Sequence, residues 1–466
     1  MSATPTYQRL ANTIIDDILG EQYAMGDALP SLRVFMQLQQ VSMTTALNCY
    51  RYLEQHGYAV AKPKQGYFVT RPYHTNGQYH FPSFTATPTQ PQNSNSDFLI
   101  PSQSFATAEL DEQLVDKAGF QKCWQYIGKD PSLTFGYADL RGESKLRHAL
   151  CAHFVKQGFT THPEQLVITN GCLDAVLLAL ETVSNKGDTI LVPSPCYSGL
   201  LDMLNLLDRR VLEIPSTNEG LDLKQVERAL KKQRVTACII TANHQNPTGH
   251  SLSTVQKQKL AALAEQYCTP IIEDDVFREL SHSPVIPLPI KHFDSSGWVL
   301  WCSSVSKTFA AGLRVGWCLP GRYYEQYIAQ RKVRTLGVNL PTQLALARYI
   351  QQGYYQQHIA KVNRQLVNQL KTYSQVLTHD LPATCQTYIP TGGLVIWLSL
   401  GKLNAAVLSD LLAQQHIFVR RGGDFTTTSE YQNCIRVNFG IVPTSETLAK
   451  LHQLVHIIKA QTLAQH

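Results

Sequence analysis

The chain has 466 residues, 44% of them apolar and 16% charged, a balance that supports a buried core and excludes a globally disordered chain or a highly charged scaffold. At ~100–200 residues per domain, the length predicts about two to four domains. The 41 basic and 35 acidic residues leave a net charge of +6, too small to indicate nucleic-acid binding by itself, so partners have to be read from local motifs. The eleven cysteines contain no C-x-x-C pair and are odd in number, which fits buried reduced thiols better than a disulfide framework or a zinc site. No apolar run approaches the ~18 residues of a membrane span. The first residues, MSATPTYQRLANTIIDDIL, lack a basic region followed by an apolar one. A cytoplasmic protein with no membrane partner and no metal site is expected.

Tyr7–Leu19 reads as a helix with Leu10, Ile14, Ile15 and Ile18 on one face. Gly26-Asp27 makes a turn, Ser31 is placed to cap a second helix, Leu32–Leu38, and Ser42 to cap a third running to about Gln55. Two short helices joined by a tight turn, the later one opening Ser-Met-Thr-Thr, fit a helix-turn-helix whose later helix enters a DNA major groove. Strand patterns at Tyr58–Lys62 and Tyr67–Thr70, joined by Pro63-Lys64-Gln65-Gly66, read as a wing whose tip reaches phosphates or the minor groove. Gly26-Asp27-x-Leu29-Pro30-Ser31-x-Arg33, Val41-Ser42-x-Thr44-Thr45 and Gly66-Tyr67-Phe68-Val69 resemble, in order and spacing, the winged helix-turn-helix of the GntR regulators over residues 7–71. The resemblance implies a double-stranded DNA operator as partner, with Arg33, Lys62, Lys64, Gly66 and Arg71 on the DNA-facing side. Base reading then rests on Ser42, Thr44, Thr45 and Asn48, because Met43 and Leu47 stand where such regulators often carry arginine. These side chains make fewer bidentate contacts to guanine, which favours a dimer reading two half-sites. Charge adds little: Arg9, Arg33, Arg51, Lys62, Lys64 and Arg71 stand against Asp16, Asp17, Glu21, Asp27 and Glu54. A small helical domain used for protein contacts is the alternative reading.

Residues 72–96, PYHTNGQYHFPSFTATPTQPQNSNS, contain no acidic or basic side chain and no sustained period. They read as a flexible linker between a domain at 1–71 and one at 97–466. The other reading is an ordered arm anchored on a neighbouring domain by Tyr73, Tyr79, Phe81 and Phe84.

In the long part, apolar runs at Gln165–Thr169, Thr189–Val192, Ala237–Thr241, Pro270–Ile272 and Trp298–Cys302 alternate with helical stretches, the pattern of βα units around a mostly parallel sheet. Four strand ends carry chemistry. In Ser303-Ser304-Val305-Ser306-Lys307, with Arg314 seven residues on, the lysine can hold an aldehyde cofactor as a Schiff base while hydroxyls and guanidinium grip its phosphate. The amide of Asn246, in Asn246-Pro247-Thr248-Gly249, can donate to a phenolate oxygen. Asp274, in Ile271-Ile272-Glu273-Asp274-Asp275, can keep a pyridine nitrogen protonated. Asn170-Gly171-Cys172-Leu173 opens a helix whose N–H groups suit a phosphate, and Tyr197 offers a ring for stacking. Packing alone is the alternative for Cys172.

These motifs in this order resemble the fold-type I pyridoxal-5′-phosphate (PLP) enzymes of the aspartate aminotransferase superfamily, from about residue 100 to 466. The resemblance implies an α/β fold with a small C-terminal subdomain from about residue 345. Lys307 would carry the Schiff base, Asp274 would face the pyridine nitrogen, Asn246 the ring hydroxyl and Tyr197 the ring. Gly171, Cys172, Ser304, Ser306 and Arg314 would hold the phosphate. Tyr137 would reach the phosphate of a partner subunit, implying a homodimer. Arg436, in Ile435-Arg436-Val437, would bind a ligand carboxylate, with an internal ion pair as its alternative. Many relatives have a tyrosine at the position of Phe277, so efficient transamination is not expected. A GntR module followed by an aminotransferase-like domain resembles the MocR subfamily of transcription regulators. That resemblance implies a regulator responding to PLP or to an amino compound; an active aminotransferase with an appended DNA-binding module is the rival.

Overall fold

Two serine caps set the architecture at the start of the chain, as their spacing predicts. The computed structural model describes residues 5–19, 22–23, 27–55, 58–62, 66–69, 79–91, 101–130, 133, 136–218, 220–232 and 234–464. Helix α1 (Thr6–Leu19) buries Ala11, Ile14 and Ile18. Helix α2 (Leu32–Gln39) starts at Ser31, whose Oγ accepts the Val34 N–H at 3.4 Å, and ends at Gln40 in the left-handed region, φ 52°. In α3 (Met43–Gln55), Ser42 Oγ accepts the Thr45 N–H at 3.2 Å. Strands β1 (Ala59–Lys62) and β2 (Gly66–Val69) pair antiparallel with Lys62 opposite Gly66. Tyr50 ties these parts together: its ring packs on Phe35 at 4.9 Å and Tyr67 at 5.1 Å, and its hydroxyl donates to the Pro30 carbonyl at 2.8 Å. These residues belong to the first of two compact units, Met1–Thr75 and Asn76–His466.

The second unit is built on one large sheet. Its strands are β3 (Pro88–Thr89), β4 (Val167–Thr169), β5 (Thr189–Ser194), β6 (Arg210–Thr217), β7 (Gly220–Leu221), β8 (Ala237–Ile240), β9 (Ile271–Asp274), β10 (Val299–Ser304) and β11 (Gly316–Leu319). They lie in the order β3-β6-β5-β8-β9-β10-β11-β4, with β7 beside β6. From β6 to β10 the strands run parallel, and β11 runs against both neighbours. Burial on both faces explains why β8 and β10 are enclosed along their whole length. The parallel run also points the carboxyl ends of β8, β9 and β10 at one edge, where ligands of open α/β sheets bind. All five apolar runs of the sequence coincide with strands of this sheet.

A second, antiparallel sheet holds β12 (Gln386–Tyr388), β13 (Val395–Ser399), β14 (Arg420–Arg421) and β15 (Cys434–Asn438) in the order β12-β13-β15-β14. Residue 345 falls inside the helix Leu340–Gln351, which packs on α4 (Lys117–Gly128) and α5 (Ser144–Lys156) and is followed by the helix Tyr354–His379. The second sheet also recruits an earlier loop: the Asn438 N–H donates to the Phe105 carbonyl at 2.9 Å and the Asp111 N–H to the Gly440 carbonyl at 3.1 Å.

The flexible reading of 72–96 is corrected over its described part, residues 79–91, which form the ordered arm. Tyr79 is 5% exposed in a cluster with Trp397, Phe425, Tyr431 and Cys434, and Phe81 packs on Tyr388 at 6.2 Å. The Gln225 side chain bridges the Phe84 carbonyl at 3.0 Å and the Ala86 N–H at 3.1 Å, and β3 pairs antiparallel with β6. Tyr73 and the rest of the segment lie outside the described residues. Removing so enclosed a ring costs about 3 kcal/mol. Tyr79→Ala is therefore expected to lower the unfolding free energy of the second unit by that amount, read as a lower urea midpoint, and to open residues 79–91 to limited proteolysis; an unchanged midpoint and digestion pattern would contradict the anchoring.

Candidate functional site

The strand ends converge on a cavity of about 490 Å³ lined by Cys172, Tyr197, Asn246, Asp274, Ser304, Ser306, Lys307, Arg314 and Arg436. Nine of the residues singled out in the sequence thus meet at one place. Asp274 closes β9 and turns into the cavity, while its neighbours Glu273 and Asp275 are spent elsewhere. Glu273 accepts the Ile290 and Lys291 N–H groups at 2.8 and 3.0 Å; Asp275 accepts the Asn243 amide at 2.7 Å and the Trp301 indole at 2.8 Å. Cys172 opens α6 (Cys172–Val183), and its thiol donates to Asp274 Oδ1 at 3.2 Å, so only its backbone N–H is left for an anion. Gly171 takes φ +94°, a conformation that strains any residue with a Cβ, and a Cβ there would also push on the Arg314 guanidinium, 2.5 Å away at Nη2.

Lys307 makes no hydrogen bond or ion pair among the described residues. Burial pushes its amine below the usual lysine range, against the pull of the Glu109 carboxylate, and Arg436 adds to the lowering. A lowered lysine is a better nucleophile at neutral pH. Beside it the Ser306 hydroxyl is buried without a partner, and Arg314 reaches the Asn170 carbonyl at 2.8 Å. Unpartnered hydroxyl, guanidinium and helix N-terminus form a donor set that suits a phosphate monoester next to a reactive carbonyl. Burial raises the Asp274 carboxyl, opposed by the Cys172 thiol and the Val276 N–H.

Arg436 is 3% exposed. Its guanidinium donates to Asn246 Oδ1 at 2.9 Å and to the Ala106 carbonyl, and Nε has no partner. The ion pair posed as its alternative role is not formed among the described residues. Burial pushes this guanidinium down to about 9, which still leaves it cationic at neutral pH. Because Asn246 accepts with its oxygen, its amide nitrogen is free to donate to a ligand. Two charged lining residues escaped the sequence reading: Arg420, held by Ser198 Oγ at 2.8 Å and Asp424 at 3.4 Å, and Glu109. The adjacent pair Arg420-Arg421 in an otherwise apolar stretch was the available signal for the first. Phe277 lines the cavity as a buried ring. Tyr137 is 87% exposed and lies outside this cavity.

In the first unit Arg33 and Thr44 are exposed, Thr45 and Asn48 half-buried. Ser42 Oγ lies 2.9 Å from Thr45 Oγ1 and caps α3, so these two hydroxyls are engaged with each other rather than free for bases. Gly66 is exposed at φ +104°, which explains the glycine at the wing turn. The Lys62 side chain, Lys64 and Arg71 lie outside the described residues.

Residues 6–69 match the family of bacterial regulatory proteins, gntR family, and residues 103–454 match aminotransferase class I and II. The HTH-type transcriptional regulator YdcR of Escherichia coli is 32% identical over 93% of this chain and 94% of its own. The chain belongs to the MocR-type regulators, a GntR helix-turn-helix followed by an aminotransferase-like domain. The HTH-type transcriptional regulator NorG of Staphylococcus aureus is 26% identical over 70% of this regulator and 74% of its own chain. The fold of the second unit is that of the α-aminoadipate aminotransferase LysN of Thermus thermophilus, solved with N-(5′-phosphopyridoxyl)-L-leucine. That match has a TM-score of 0.72 at 22% identity and covers 78% of this regulator and 93% of LysN. No helix among the regulator's described residues is long and apolar enough to cross a membrane.

Two histidines flank Asn246 in the turn that carries it. His244, 3% exposed, bonds Ser251 Oγ at 3.0 Å, and His250 Nδ1 lies 2.7 Å from the Tyr388 hydroxyl. Burial pushes His250 from 6.5 down to about 4. The unfolded chain therefore binds the extra proton between those values, and the regulator loses stability as pH falls through that window. Relative to His250→Gln, the wild type should lose on the order of 3 kcal/mol between pH 6.5 and 4; identical pH profiles of the unfolding free energy would contradict the assignment.

Proposed function

We propose that this regulator binds operator DNA through its winged helix as a homodimer, holds PLP in the Lys307 cavity, and responds there to PLP or an amino compound. PLP supplies an aldehyde that condenses reversibly with a primary amine. Lys307 offers that amine, lowered toward its neutral form by burial. Asp274 faces the pyridine nitrogen, the free amide of Asn246 the ring hydroxyl, and Tyr197 the ring. The N–H groups of Gly171 and Cys172, the hydroxyls of Ser304 and Ser306, and Arg314 hold the phosphate. Tyr137, exposed on one chain, serves the cavity of a second copy. Arg436 takes a ligand carboxylate with its fork. On the DNA, Arg33, Lys62, Lys64 and the Gly66 backbone meet phosphates, and Thr44 and Asn48, on one face of α3, meet bases with Ser42 and Thr45 behind them.

The observation that carries this reading is the cavity itself: an unpaired lysine, phosphate donors and an arginine without a carboxylate meet in a chain that opens with a GntR module. The rival is turnover as an aminotransferase. Phe277 stands against it, because a ring without a hydroxyl withdraws one stabiliser of the phenolate.

Addition of PLP to the full chain is expected to give a visible absorption band that Lys307→Ala lacks while keeping the wild-type unfolding midpoint. Absence of the band in the wild type would refute the cofactor reading, and Lys307-dependent turnover of amino donors would favour the enzyme. Arg33→Ala should weaken binding to DNA from the regulator's own upstream region alike for all sequences and make the salt slope shallower by about one. A loss confined to one base position would reassign Arg33.

A further inference from the structure

Part of the cavity wall is a loop, residues 105–111, held without slack. Arg436 bonds the Ala106 carbonyl, the Asn438 amide bonds the Glu109 carbonyl at 3.0 Å, and a Cβ on Gly440 would stand 2.7 Å from that same oxygen. The loop therefore presents the Glu109 side chain to the cavity from a fixed backbone. That carboxylate is poorly served. Its described hydrogen bond is the Gln103 N–H at 3.5 Å, and it forms no ion pair among the described residues. Lys117, across the neighbouring opening, is already paired with Glu112 at 3.0 Å. Glu109 favours the Lys307 ammonium more than Asp274 does. Once the Lys307 amine is committed to the cofactor, Glu109 is left facing the ligand space with little but a backbone N–H.

The same space ends, at Ala106, in the guanidinium of Arg436. Two residues of chain separate Ala106 from Glu109, three peptide steps that span at most about 10 Å. An anion receptor and a cation receptor thus stand within the reach of a short linear ligand. We propose that Glu109 makes the cavity selective for diamino carboxylates of the ornithine and lysine type. The α-carboxylate lies on Arg436, one amine is presented to the cofactor, and the second ammonium lies on Glu109. This rests on the reading of the cavity as an effector site, and Glu109 is the residue that sets its ligand class. A partly desolvated ammonium–carboxylate contact is worth about tenfold or more in affinity.

The test is a titration of the PLP-loaded full chain, followed by its visible band, with L-lysine, L-ornithine, L-norleucine, which lacks only the side-chain ammonium, and L-glutamate. The diamino acids are expected to act at concentrations at least about tenfold below norleucine and glutamate. Glu109→Gln should bring them to the norleucine level, whereas Glu112→Gln, which removes a neighbouring acid, should keep the preference. A wild type without the preference, or a Glu109→Gln variant that retains it, overturns the proposal. So does a Glu109→Gln variant that only moves the pH dependence of the band, since Glu109 would then act through Lys307. If Glu109→Gln does not take up PLP, Glu109→Asp decides: a reduced preference supports the proposal and an unchanged one overturns it. A band that no amino acid alters overturns the effector reading itself, and this inference with it.

Discussion

One buried cation organises the ligand end of this protein. Arg436 projects from β15 of the small subdomain and is held by two neutral oxygens, the Ala106 carbonyl from the recruited loop and Asn246 Oδ1 from the turn after β8. A charge taken out of water costs several kcal/mol unless paired, and no carboxylate pairs with this one among the described residues. The ring of Phe425, 5.3 Å from the guanidinium, returns part of the cost. The arrangement clamps three separate stretches of chain around the cavity and leaves a positive charge there. An anionic ligand group would complete it, which is why the site reads as a receptor as well as a cofactor cradle.

The same ring connects the cavity to the arm. Phe425 belongs to the cluster that encloses Tyr79, and its face also lies 5.8 Å from Arg420. A second tie runs close by: Glu213 accepts from the hydroxyls of Thr426 and Thr427 at 2.6 and 2.7 Å, and Thr427 lies 2.6 Å from Thr89 of the arm. The chain that leaves the first unit at Thr75 is therefore fastened, from Tyr79 onward, to the segment that backs the two cavity arginines. A ligand that binds two arrangements of that segment with different affinity would bias the arm between them, and only such a ligand would.

Much of the cavity was legible because its chemistry sits at strand ends, where short motifs are local. Ser304 closes β10 and Ser306 and Lys307 follow it, Asp274 closes β9 and Asn246 follows β8, so spacing alone brings them together once the strands run parallel. The caps at Ser31 and Ser42 were legible for the same reason. What escaped depends on distant partners. The order of residues 79–91 comes from Trp397, Phe425 and Gln225, far along the chain, and a Pro- and Thr-rich stretch without a period shows none of that. The mutual engagement of Ser42 and Thr45, the thiol of Cys172 turning to Asp274, and the cavity positions of Glu109 and Arg420 are likewise set by packing rather than by local pattern.

The account stands or falls on whether the cavity and the DNA module respond to one another. Thermodynamic linkage requires that a ligand altering DNA affinity be altered in its own affinity by DNA to the same factor. The direct measurement is the affinity of the full chain for DNA from its own upstream region with no addition, with PLP, and with PLP plus a mixture of amino acids, for the wild type and for Lys307→Ala. A change of severalfold or more in the wild type, absent in Lys307→Ala, is the predicted result. Equal affinities under all three conditions would show that the cavity does not govern the DNA-binding unit.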